Sequence, residues 1–134
     1  TIGTMHGTNV EWVSDLCDVL CFHPYRGWWD DGFVRKCDWA IDLSRKLGKP
    51  VIANETCQGS LDDSTRVEII HRSLGPLKER GIGFCAWHLH GGRMITANRQ
   101  VTDLNCKPGD RSYMAFIEPD GSLRPGHEAF NDYC

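Results

Sequence analysis

The sequence predicts an α/β fold built on a parallel sheet, and three observations carry that prediction. Apolar runs that read as strands begin at residues 18, 50 and 82, a repeat of 32 residues that matches the ~30-residue βαβ unit. The runs are short, bounded by Gly, Pro or polar residues, and lack clean alternation, as suits strands covered on both faces. Between them lie stretches with helical periodicity, so parallel neighbours are joined by right-handed crossovers.

The elements follow in order. Thr1 to Met5 reads as a first strand, and a short helix of about Glu11 to Cys17 leads to a second strand, Asp18 to Phe22. Asp30 or Asp31 can cap the next helix, whose inner face carries Phe33, Val34, Cys37, Ile41 and Leu47 before Gly48 stops it. Pro50 to Ala53 is the third strand. Asp62, Asp63 or Ser64 then caps a helix with Val67, Ile70, Leu74 and Leu77 inward and Gly81 as its stop. Gly75-Pro76 is expected to kink that helix or break its last turn. Ile82 to Trp87 is the fourth strand. Residues 88–123 are too long for a plain loop, and Ser112 to Ile117 followed by Glu118-Pro119-Asp120-Gly121 reads as a small hairpin within them. A last helical piece spans about His127 to Tyr133.

The chain has 134 residues, which suits one domain, and its net charge of −3 gives no electrostatic footprint for nucleic acid or an anionic membrane. No apolar run approaches the ~20 residues that span a bilayer. The N-terminus, Thr1-Ile2-Gly3-Thr4, has neither an initiating Met nor the basic-then-apolar pattern of a signal peptide, and reads as if cut from something longer. Seven cysteines, an odd number, include Cys17, Cys21, Cys37 and Cys85 inside apolar segments, with no CxxC pair. That pattern favours free thiols over a disulfide framework and leans towards a reducing, cytoplasmic compartment, while leaving secretion open.

Parallel α/β folds place function at the carboxyl ends of their strands. Those ends carry His6-Gly7-Thr8, then His23-Pro24-Tyr25 with Arg26-Gly27-Trp28-Trp29, then Asn54-Glu55, and finally Trp87-His88-Leu89-His90. A carboxylate, several imidazoles, a phenol and indoles thus converge on one rim. Each also has a plainer reading: Glu55 as a cap of the following turn, Tyr25 and Trp87 as rim packing. The imidazoles of His6, His23, His88 and His90 allow a metal-dependent hydrolase, but no characteristic ligand spacing supports it, and no metal or cofactor is expected. Cys57 has no His–Asp partnership beside it and reads as an incidental thiol.

Together GKPVIANET, FHPY and GIGFCAWHL, in this order and at these intervals, resemble the C-terminal half of a clan A glycoside hydrolase. That clan holds the cellulase, β-mannanase and β-glycosidase (β/α)8 barrels. The resemblance covers nearly the whole chain, and the closing PDGSLRPGHEAFN also looks like the end of such a barrel. It implies that the four strands are barrel strands five to eight. It also implies that Glu55 is the nucleophile of retaining hydrolysis of β-linked glycosides, with Tyr25 and His23 as its companions on the sixth strand. A hydrogen bond from the Tyr25 hydroxyl would hold the carboxylate, and His23 would meet sugar hydroxyls. Trp87 would floor the first sugar subsite, with Trp28 or Trp29, Asn54 and His88 as further substrate contacts.

Retaining chemistry needs a second carboxyl about 5–5.5 Å from the nucleophile. The resemblance places it on the fourth strand, outside this chain; Glu11, Asp30, Asp31 and Glu118 match nothing in the family's pattern. The chain alone is therefore expected to be inactive or nearly so. Its partners would be an oligo- or polysaccharide and either the N-terminal half of the barrel or a second copy covering the open edges. The alternative is a carbohydrate-binding or scaffold half-barrel without turnover.

Overall fold

A computed structural model describes residues 7–25, 32–89 and 113–134. The predicted first strand lies outside them, as do the Asp30/Asp31 cap, Trp28, Trp29, His6 and His90. The described elements are α1 (Gly7–Val13), β1 (Leu20–Phe22), α2 (Gly32–Leu47), β2 (Val51–Thr56), α3 (Asp63–Glu79) and β3 (Gly83–Ala86), with 3-10 helices at Ser14–Leu16 and His127–Tyr133. The three strands form a parallel sheet in the order β1-β2-β3, with Leu20 opposite Val51 and Ile52 opposite Gly83. A three-stranded parallel sheet with flanking helices is the α/β arrangement the repeat predicts, and it is compatible with part of a barrel.

Local chemistry explains most boundaries, and a few differ from expectation. The first helix starts earlier than Glu11 and finishes in a 3-10 turn. Asp62 caps α3, its carboxylate accepting the Thr65 N–H at 2.7 Å. Pro76 does not break α3, which runs on to Glu79. It sits in the last turns, where one lost N–H bond is a small disturbance. Ile70, Leu74 and Leu77 of α3 are buried as expected, Val67 is only half-buried, and the inner face also takes in Arg66, Ile69 and Ser73. Ile117 and Leu123 pair across the Glu118–Gly121 turn, closing the small hairpin.

The core lies between the sheet and the two long helices. Leu20, Phe22, Ala53 and Ile82 meet Phe33, Cys37 and Ala40 of α2, Ile70, Leu74 and Leu77 of α3, and Phe116. Burying each such large side chain stabilises the fold by about 1.5–3 kcal/mol. The 3-10 helix at the C-terminus packs on α3, where the Tyr133 hydroxyl meets His71 Nδ1 at 2.7 Å and Lys78 donates to the Asp132 carbonyl. Phe130 bridges Phe84 and Phe116 edge-on. On β3, Gly83 and Cys85 are exposed. The six described cysteines are free thiols, and no described helix is long and apolar enough to cross a membrane.

Candidate active site

The carboxyl ends of the three strands meet on one rim. Val51-Ile52-Ala53 pairs with β1 throughout and with β3 from Ile52 onwards, which fixes the direction in which Asn54 and Glu55 emerge. β2 continues to Thr56, two residues beyond Asn54, with an irregular register against β3 between Ala53 and Thr56. The Thr56 carbonyl accepts the Trp87 N–H at 3.0 Å, which fastens the aromatic end of β3 beside the carboxylate end of β2. On the other side the Thr56 hydroxyl donates to the Pro24 carbonyl at 2.7 Å. This bond pins the middle of His23-Pro24-Tyr25, so the flanking side chains both reach Glu55.

Tyr25 donates its hydroxyl hydrogen to Glu55 Oε2 at 2.9 Å, and His23 Nδ1 lies 3.3 Å from the same oxygen. Among the described residues Glu55 Oε1 has no polar partner, and the side chain is 26% exposed. Glu55 therefore points at neighbouring side chains and not at the backbone of the turn that follows. Burial first, then the bond to Glu55 and its charge, push the Tyr25 hydroxyl far above the ordinary tyrosine range. Tyr25 is thus a permanent donor at working pH. Cys57 is fully buried, and burial pushes its thiol up to about 12 against the opposing pull of Arg66.

Trp87 is 37% exposed at the end of β3, with its ring 5.3 Å from that of His88. Their shared peptide bond is cis. Among the described residues, the half-buried Asn54 has no hydrogen-bond partner for its buried Oδ1, nor has His23 for its Nε2. The structure thus brings Glu55, Tyr25 and His23 together and sets Trp87 on the adjacent strand end. No group of His, Cys, Asp and Glu among the described residues is placed to hold a metal ion.

Residues not singled out from the sequence also shape this rim. Thr56 is one. Arg66 is another: it reaches under the loop after β2, donating to the carbonyls of Cys57 and Gln58 at 2.6 Å each. Its one sequence signal was an arginine four residues before Ile70, on the apolar stripe of α3. Gly59 is a third, because a Cβ there would meet the Tyr113 side chain, lie 2.5 Å from the Tyr113 carbonyl oxygen and 2.6 Å from Met114 Sδ.

No protein-family model matches the chain, and no curated protein matches it in sequence. Solved structures do resemble it. The fold is similar to that of the β-glucuronidase of Faecalibacterium prausnitzii, with a TM-score of 0.68 and 14% identity over 99% of this chain and 24% of that one. The β-galacturonidase of Eisenbergiella tayi in its galacturonate-bound form gives 0.62 and 14%, over 87% of this chain and 23% of that one. The endo-β-1,4-mannanase of Thermotoga petrophila gives 0.54 and 22%, over 87% and 25%. The chain spans about a quarter of the length of these structures, and its fold is glycoside hydrolase-like.

Proposed function

We propose that this chain supplies strands five to eight of a clan A (β/α)8 barrel, and that Glu55 is the nucleophile of a retaining hydrolase acting on β-linked glycosides. The observation that carries the reading is the asymmetric carboxylate: Tyr25 and His23 both engage Oε2, leaving Oε1 open to attack. Oε1 attacks the anomeric carbon, the glycosidic bond breaks, and the leaving oxygen takes a proton from a second carboxyl. That carboxyl belongs to residues outside this chain. It then takes a proton from water, which displaces Glu55 and restores the original anomeric configuration. Trp87 offers a flat apolar face for the sugar ring, and Asn54, His23 and His88 lie where hydroxyls would approach. The polypeptide partner is the remainder of the barrel.

Covalent trapping tests this reading. An activated 2-deoxy-2-fluoro β-glycoside, offered in gluco, manno, glucurono and galacturono forms, should label the complete enzyme at Glu55, with loss of labelling in Glu55→Gln. The isolated chain should label far more slowly, because the rest of the barrel that would hold the sugar against Glu55 is missing. Labelling of another carboxylate, or full-rate labelling of the isolated chain, would overturn the assignment.

A further inference from the structure

We infer that Arg66 is a positioning residue that locks the carboxylate end of β2 to the aromatic end of β3; the inference rests on the hydrolase reading for its kinetic consequences. The side chain is fully buried, yet no carboxylate among the described residues bonds to it. One guanidinium nitrogen donates to the carbonyls of Cys57 and Gln58 at 2.6 Å, and the other donates to the Met114 carbonyl at 3.0 Å. That same Met114 carbonyl accepts the His88 N–H at 3.2 Å. A single planar cation therefore joins the two residues that follow Glu55-Thr56 to the carbonyl that seats His88, beside Trp87.

Neighbouring features agree with this role. Cys57 adopts a left-handed backbone conformation, φ 69°, and its carbonyl and that of Gln58 share one donor nitrogen. The guanidinium carbon lies 4.7 Å from the centre of the Phe116 ring, which holds the plane from one side. The nearby carboxylate of Asp63 is taken by Arg124, at 2.7 Å and 2.9 Å. Burying a charge against carbonyls carries a desolvation cost that offsets much of what its hydrogen bonds contribute, so the net stability such a group adds is small. Its contribution lies in geometry: one rigid fork gathers two carbonyls of the loop after β2 and the Met114 carbonyl that receives the His88 N–H, a task a lysine's single ammonium cannot perform.

The test compares Arg66→Met and Arg66→Lys with the wild-type enzyme on 4-nitrophenyl β-glucoside, β-mannoside, β-glucuronide and β-galacturonide. Both variants should remain folded, with kcat lowered about tenfold to a hundredfold, the effect of sub-ångström misplacement of reacting groups, and KM little changed. Wild-type kcat in folded Arg66→Met, or activity lost only in proportion to the folded fraction, overturns the inference. If the wild type neither turns over these glycosides nor labels at Glu55, the hydrolase reading fails, and hydrogen exchange then decides on Arg66 alone. In Arg66→Met the Trp87 and His88 amides should lose protection together, while the Leu20 amide, bonded to the Pro50 carbonyl at 2.8 Å, keeps its own. Unchanged protection at His88 overturns the coupling.

Discussion

Replacing Tyr25 by Phe removes one hydroxyl and leaves the ring, so its effect isolates the bond to Glu55 Oε2 at 2.9 Å. A hydrogen bond to a charged acceptor contributes about 1.5–3 kcal/mol, and tenfold in rate corresponds to about 1.4 kcal/mol. Tyr25 and Glu55 are half-buried, which places the effect near the lower end, about ten- to thirtyfold. In the proposed double displacement the two chemical steps feel it differently. In the first, Glu55 spends its charge in forming the ester, so losing a donor to the starting carboxylate does not slow it. In the second, the carboxylate is the leaving group and its charge returns, so losing the donor slows that step by the full factor. Tyr25→Phe should therefore lower kcat and KM together and release a burst of nitrophenol equal to the enzyme concentration, as the glycosyl-enzyme accumulates. A fall in kcat with unchanged KM and no burst would refute the reasoning, because the hydroxyl would then not be acting on the departing carboxylate.

Three further outcomes follow from the same geometry. Gly59→Ala places a methyl group 2.5 Å from the Tyr113 carbonyl, where backbone must move; it should destabilise by about 1–3 kcal/mol in urea titration, whereas Gly48→Ala, with open space around it, meets only the strain of its left-handed backbone. Equal behaviour of the two variants would discount the contact. His127 is buried, and burial, assisted by Arg124 and Arg66 against the opposing Pro125 carbonyl and Asp63, holds its imidazole below the ordinary value of 6.5. The unfolded chain then binds the proton more readily, so this contribution is full above about pH 6.5 and is lost as pH falls towards the folded value; urea midpoints of His127→Gln should fall less than wild type between pH 7.5 and 5.5. Iodoacetamide at pH 8 should modify the exposed Cys85 and Cys134 in the native protein but leave Cys57, whose thiol is pushed up to about 12; labelling of Cys57 at the rate of Cys85 would contradict its burial.

Much of the fold was legible because it depends on periodicity. The 32-residue repeat located β1, β2 and β3, and the apolar stripe of α2 identified Phe33 and Cys37 as buried. Strand ends were legible for the same reason: an apolar run stops where the chain reaches water, so Glu55, Tyr25 and Trp87 could be assigned to one rim. Boundaries were less legible. β2 extends to Thr56 because β3 continues its ladder there, with Thr56 opposite Ala86, and α3 continues through Pro76 because packing of Leu74 and Leu77 outweighs one missing bond.

The residues that escaped notice share a physical cause. Thr56, Arg66 and Arg124 act on backbone carbonyls: those of Pro24, of Cys57, Gln58 and Met114, and of Ser60 and Ala115. A carbonyl has no sequence signature, since every residue carries one, so a side chain that serves carbonyls has no partner type to be paired with in a sequence. Arg66 and Arg124 would ordinarily be assigned to solvent, yet both are fully buried behind the loop that follows Glu55. Which side chains the rim presents could be read from the sequence, whereas the means of holding them in place required knowing where the backbone turns. Two buried cations, Arg66 on carbonyls and Arg124 on carbonyls and Asp63, hold the loops behind Glu55, and among the described residues Tyr25 and His23 are the side chains that meet its carboxylate. That division is why substitutions behind the rim should alter the placement of Glu55, and substitutions on it should alter the chemistry.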